Sequence, residues 1–240
     1  MSLFEDIEKK IYKYAGRIEE YLLNRYPKDY FSFYIDIGSR GNFNPWHLNY
    51  LAKDNPKTKY YGFEPDLPYY QELVDCKKSE NLDNMVMSKK GFGTGAPIKT
   101  PYGEQETVTI TKIIEENKLS ANDRWALKID CEGGEYCLMK EECKPCVELM
   151  KACSHIAIEF HLETCRTSNN FWTTNQNRMP TDISYVEKWL EDNFSDSHKI
   201  YLTDQSRPPP ETQGLYTYVI VKNEVMEQRD SLFWSELLLS

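Results

Sequence analysis

Apolar residues recur at spacings of three and four at Leu3, Ile7, Ile11, Tyr14, Ile18 and Leu22, which predicts an amphipathic helix from Ser2 to about Asn24. Ser2 and Glu5 make a capping box at its start. After it the pattern changes to short, continuous apolar runs set between helical stretches. Strands are expected at Phe31 to Ile37, Lys59 to Phe63 and Leu82 to Met87. Between them lie helices from about Pro45, where proline suits a first turn, to Asp54, and from Leu67 to Cys76.

From Lys89 to Gln105, Gly91, Gly93, Gly95, Pro97, Pro101 and Gly103 predict an irregular loop. Thr107 to Ile110 should be extended and Thr111 to Lys118 helical. Arg124 to Cys131 should form a strand, and a helical stretch broken at Pro145 should lead to another at His155 to Phe160. Leu162 to Pro180 is polar and reads as a loop beside a site. A helix from Asp182 to Phe194 and strands at His198 to Leu202 and Leu215 to Val221 close the pattern, the strands separated by Arg207-Pro-Pro-Pro210. Strand and helix alternate, so the expected fold is α/β: a doubly wound, mostly parallel, seven-stranded sheet with helices on both faces and an added N-terminal helix.

Composition narrows the class. At 240 residues the chain suits a single domain, 1–240, with a helix over 1–26, a core over 31–222 and a tail over 223–240. A net charge of -9 opposes phosphate-backbone binding, so nucleic acid is not an expected partner. No apolar stretch is long enough to cross a bilayer, and the first residues are acidic where a signal peptide is basic. No membrane partner is expected, and a cytoplasmic location is. The apolar tail, Leu232 to Leu239, should pack on the body or on a second copy of the chain in a homodimer.

Seven cysteines, an odd number, argue for buried thiols and against a disulfide framework. Cys143-Lys-Pro-Cys146 has redox or zinc spacing, with Cys137 and Cys153 nearby, but a strand and a glycine turn already precede it, unlike a thioredoxin-type site.

Two runs carry the candidate chemistry. Phe33-Tyr-Ile-Asp-Ile-Gly-Ser-Arg-Gly41 and Leu127-Lys-Ile-Asp-Cys-Glu-Gly-Gly-Glu135 each take a buried strand to an aspartate that a glycine closely follows. The carboxyl ends of such strands line the ligand crevice of an open α/β sheet, and glycine lets backbone approach a cofactor. Gly38 and Gly41 do not make the G-x-G-x-x-G spacing of a dinucleotide site, which disfavours a nicotinamide-dependent oxidoreductase. Glu64 follows the second strand, where a carboxylate can accept both ribose hydroxyls of an adenosine, or else is an exposed turn acid.

The order of these motifs resembles the FkbM-type family of S-adenosylmethionine-dependent methyltransferases. Tyr34-Ile-Asp-Ile-Gly38 is similar to its cofactor turn, Gly62-Phe-Glu-Pro65 to its ribose strand, and Leu127 to Glu135 to its lysine, aspartate, glutamate and glycine signature; Ile156-Ala-Ile-Glu-Phe-His161 follows as a fifth strand. The resemblance runs from about Phe31 to His161. It implies a Rossmann-like class I methyltransferase fold, with Asp36, Gly38, Ser39, Arg40 and Gly41 around the methionine part of S-adenosylmethionine, Glu64 and Pro65 at the ribose, and Val86, Met87 and Ser88 at the adenine. Asp130 would lie near the transferable methyl. The family commonly has alanine, asparagine and a further residue before its second glycine, whereas here Ser39-Arg40 leads straight to Gly41.

A hydroxyl nucleophile must lose a proton, and Asp130, Glu159 and His161 are candidate bases; His161 is preferred because it titrates nearest neutrality. Glu159 and His161 share one side of their strand. The same trio could ligate Mg²⁺ or Mn²⁺. Lys128 is expected to partner an acid, and Glu132 and Glu135 to cap the helix that follows. Asn169-Asn-Phe-Trp172 and the N-terminal helix would form the acceptor pocket, their aromatic and amide groups suiting a sugar ring. The expected activity is O-methylation of a small-molecule hydroxyl, preferably on a sugar or glycan. The non-enzyme rival is a methyltransferase fold used as a binding subunit.

Overall fold

The computed structural model describes residues 26–39, 48–100, 103–131, 133–162, 182–205 and 215–225. The expected N-terminal helix, Arg40, Gly41, Pro45, Glu132, Asn169 to Trp172, the triple-proline segment and the tail beyond Val225 lie outside the described residues.

In chain order the strands are β1 (Phe33–Ile37), β2 (Lys59–Phe63), β3 (Met85–Ser88), β4 (Gly91–Phe92), β5 (Ile98–Thr100), β6 (Gly103–Gln105), β7 (Thr107–Val108), β8 (Trp125–Ile129), β9 (His155–His161), β10 (His198–Gln205) and β11 (Leu215–Lys222). The α-helices are α1 (Leu48–Asp54), α2 (Leu67–Ser79), α3 (Ile110–Glu116), α4 (Lys144–Met150) and α5 (Ile183–Phe194). Seven strands form one sheet in the order β10-β11-β9-β8-β1-β2-β3, with only β11 antiparallel to its neighbours. This is the Rossmann-like class I methyltransferase fold. Strand order reverses at β1: β2 and β3 continue to one side, β8 and β9 to the other. A crevice at that reversal, outside the carboxyl ends of the strands, is where open α/β sheets place ligands.

The strands form where they do because both faces are covered, which favours unbroken apolar runs. Phe33, Ile35 and Ile37 point into one core layer with α3, α4 and α5, beside Leu127, Ile129, Ile156 and Ile158. Tyr34 points to the other, with Leu48 and Leu51 of α1, and there Ala126 and Ala157 are the small residues. Asp36, Lys128, Asp130, Glu159 and His161 share this second face by strand parity. The polar residues of the site therefore stand on the α1 face, at the ends of three adjacent strands.

Several expected boundaries move for identifiable reasons. β3 starts at Met85 rather than Leu82 because the Asn84 amide donates to the carbonyls of Ala52, Asn55 and Thr58, tying the preceding turn to the end of α1. The expected loop over 89–105 holds paired strands: β4 pairs with β7, and β5 with β6 in a hairpin where Thr100 faces Gly103. Pro145 does not break a helix; it sits in the first turn of α4, where its missing N–H has no intrahelical partner to lose. The six described cysteines, Cys76, Cys131, Cys137, Cys143, Cys146 and Cys153, are buried thiols, consistent with the odd count. No helix among the described residues is long and apolar enough to cross a membrane.

Candidate active site

The first half of the site is the β1 turn. Gly38 adopts φ +78, and a Cβ there would lie 1.7 Å from the Asp130 carbonyl oxygen. The end of β8 thus presses directly on the turn, and only hydrogen fits between them. Gly38 and Ser39 N–H both donate to the Phe63 carbonyl, at 2.9 and 3.1 Å, and Asp130 N–H donates to the Ile37 carbonyl at 3.0 Å. The Ser39 hydroxyl is turned inward, donating to the Asp36 carbonyl at 2.8 Å, so it closes the turn.

Asp36 is buried and pairs in register with Lys128 on β8. The Lys128 ammonium lies 3.4 Å from Asp36 Oδ1 and 3.6 Å from Asp130 Oδ2, bridging the ends of the two central strands. It partners two acids, where the sequence pointed to one.

Glu64 follows β2. It is a buried residue, not an exposed turn acid, and its Oε1 accepts from Asp66 N–H at 2.8 Å. Burial pushes its carboxyl up to about 8 from the ordinary 4.5, with nearby Asp66 and Asp36 adding to the rise. Such a group has the opposite linkage to a salt-bridged acid. Folding takes up a proton between the two values, so the unliganded protein loses stability as pH rises from about 4.5 through about 8. Thermal melts across that window should show the decline. In Glu64→Gln it should be flatter, and an equally steep decline in the variant would remove Glu64 as its source.

Pro65 lies against Gly91. Glu64 N–H donates to the Ser88 carbonyl at 3.1 Å, so Ser88 adjoins the Glu64 turn. Met87 is in register with Gly62 and packs over it on the Asp36 face, whereas Val86 leaves β3 on the other face and is half-exposed.

The second half of the site is built on β8 and β9. Ligand atoms of Asp130, Glu159 and His161 lie within 4.8 Å of one another. His161 Nε2 is 3.3 Å from Glu159 Oε1 and 3.9 Å from Asp130 Oδ1, and Thr217 on β11 donates to Glu159 Oε2 at 3.3 Å. Glu159 and His161 are buried, and Asp130 is partly open. The three residues predicted from the sequence therefore converge.

Glu135 is the residue whose part the sequence did not reveal. Its Oε2 accepts from Gly133 N–H at 2.8 Å, which is the expected capping role. Its Oε1, however, accepts from His161 N–H at 2.8 Å and lies 3.1 Å from His161 Nδ1. A glutamate directly after a double glycine and a strand-end histidine were the available signals, but 26 residues separate them. Only the return of the chain through α4 to β9 brings them together.

No protein-family model matches this chain, and no curated protein sequence matches it. Similar solved structures include an rRNA methylase from Streptococcus thermophilus, 12% identical over 85% of this chain and 93% of that one, with a TM-score of 0.49. SMU.1697c from Streptococcus mutans, solved in complex with SAH, is 11% identical over 86% and 98%, with a TM-score of 0.48. A precorrin-6y C5,15-methyltransferase from Geobacter metallireducens is 10% identical over 85% and 88%, with a TM-score of 0.45. These likenesses assign no residue a role.

Proposed function

We propose that the chain is an S-adenosylmethionine-dependent O-methyltransferase of the FkbM type that acts on a sugar or glycan hydroxyl. One observation carries this reading. Asp36, Gly38 and Glu64 line the ends of β1 and β2, while Asp130, Glu159 and His161 stand on the neighbouring ends of β8 and β9, across the reversal of strand order. A cofactor half and a proton-handling half thus meet at the crevice.

The charge balance supports a cationic cofactor. Asp36, Asp130, Glu135 and Glu159 crowd around one lysine and one histidine. Buried acids in excess of bases favour an incoming positive group, here a sulfonium and an amino group. Methyl transfer then needs mainly alignment of the attacking oxygen, the carbon and the sulfur. His161 Nε2 is the proposed acceptor of the hydroxyl proton, with Asp130 and Glu159 holding the resulting imidazolium. The sugar preference rests on the aromatic and amide residues at Asn169 to Trp172.

The trio also fits a divalent cation, because two carboxylates and one imidazole are an acceptable donor set for Mg²⁺ or Mn²⁺. In that second reading Asp130, Glu159 and His161 would hold the ion, which would lower the pKa of a bound hydroxyl. A homodimer and a cytoplasmic location belong to the same proposal and rest on sequence alone.

Calorimetry with S-adenosylmethionine and its demethylated product is the primary test. Both should bind wild-type protein. Ribose hydroxyls donate to an ionised carboxylate, so affinity should climb about tenfold per pH unit toward pH 8 and then level. Glu64→Gln should bind more weakly and lose this slope. Folded protein that binds neither compound rules the proposal out, and a slope that persists in the variant removes Glu64 from the ribose.

A further inference from the structure

We propose that Lys128 is a specificity-determining residue that offsets the charge of Asp36 and Asp130, so that the crevice does not hold a sulfonium far more tightly than the uncharged thioether it becomes. The inference rests on the methyltransferase reading and deepens it, by assigning a role to the one lysine in its charge balance.

Lys128 is in register with Asp36 and two residues before Asp130, so strand parity sends all three side chains to the α1 face at the ends of the two central strands. Its ammonium is 3.4 Å from Asp36 Oδ1 and 3.6 Å from Asp130 Oδ2, and Glu64 is near enough to feel its charge. The Lys128, Asp36 and Asp130 side chains are 11%, 8% and 15% exposed, so water screens these charges only in part. Asp36 belongs to the half assigned to the cofactor and Asp130 to the half assigned to the acceptor. Lys128 therefore stands on the boundary that the methyl group has to cross.

Methyl transfer changes the charge at that boundary. The acceptor oxygen gains the methyl and gives up its proton to the base proposed above, while the carbon–sulfur bond breaks and leaves its electron pair on sulfur. Sulfur thus goes from cation to neutral thioether. Two uncompensated carboxylates would favour the starting cation over the product, and an interaction stronger before transfer than during it works against the reaction. One ammonium shared between them reduces that preference.

A staple between β1 and β8 would explain the same contacts, so the test must respond to the charge on sulfur and not to folding. Calorimetry with S-adenosylmethionine, a cation at sulfur, and with its demethylated product, neutral there, gives a ratio of two affinities on one protein. Loss of a mere staple would lower both affinities together and leave the ratio alone. In Lys128→Met, which keeps an unbranched stem without the charge, the preference for the sulfonium should rise about tenfold or more, while in Lys128→Arg it should stay near the wild-type value. An unchanged ratio in Lys128→Met overturns the proposal; so does a shift in Lys128→Arg as large as that in Lys128→Met. If Lys128→Met does not fold, nitrogen-15 NMR of lysine-labelled wild type decides. The Lys128 ammonium signal, identified by its loss in Lys128→Arg, should move on adding S-adenosylmethionine and much less on adding the product, and equal movement overturns the proposal. Folded wild type that binds neither compound overturns the methyltransferase reading and this inference with it, whereas binding of both with a ratio indifferent to Lys128 overturns this inference alone.

Discussion

Gly38→Ala should destabilise the protein by about 4 kcal/mol or more, a loss reserved for substitutions with an identifiable structural conflict. Two costs combine. The first is the left-handed backbone at φ +78, about 1–2 kcal/mol for a residue with a Cβ. The second is contact: the added carbon would stand 1.7 Å from the Asp130 carbonyl oxygen and 2.7 Å from its carbon. Neither side can retreat cheaply, since Gly38 N–H is bonded to Phe63 and Asp130 N–H to Ile37. Relief would pull β1 from β2 or from β8 at the point where the site is built.

An internal control exists. Gly95 and Gly103 also have positive φ, at +94 and +103, but nothing lies within 4 Å of a Cβ at either. Alanine there should cost only the backbone term. For a chain of this size 1 kcal/mol moves a melting temperature by about 2–4 °C, so Gly38→Ala should melt about 8 °C or more below wild type and the controls only a few degrees. Equal melting temperatures for Gly38→Ala and Gly95→Ala would mean that the β8 contact is not rigid.

What the sequence disclosed and what it concealed follow from the range of the interactions concerned. The seven sheet strands were legible because a strand buried on both faces needs a near-continuous apolar run, and Phe33 to Ile37 or Trp125 to Ile129 supply one that a single charged residue interrupts. The shared face of Glu159 and His161 was legible from parity alone. Short elements were less so. β5 and β6 have three residues each, too few for a period to show, and the glycines around them signalled only a break. Pro145 was ambiguous because proline both ends helices and starts them, and which applies depends on the chain before it. The burial of Glu64 and the Glu135 to His161 contact could not be read at all, since a carboxylate in a polar stretch gives no sign of being desolvated.

Replacing His161 by glutamine should lower turnover by about 10²- to 10⁴-fold, the range for a positioned proton-transfer group, while leaving cofactor affinity near the wild-type value. The separation follows from the two halves of the site. His161 stands on β9 beside Asp130 and Glu159, whereas the cofactor is assigned to Asp36, Gly38 and Glu64 on β1 and β2. Glutamine keeps a polar group in a buried position but has no basic nitrogen. The measurement is labelled-methyl transfer to a panel of sugars and glycans, paired with calorimetry. Treatment with EDTA then distinguishes the two uses of the imidazole. If His161 is the proton acceptor itself, wild-type activity survives the chelator. If it is a cation ligand, the chelator alone should reproduce the loss seen in His161→Gln, and added Mg²⁺ or Mn²⁺ should restore wild type far better than the variant. Full activity of His161→Gln would reject both uses, and the charge crowding at the end of β9 would then be a feature of the cofactor site only.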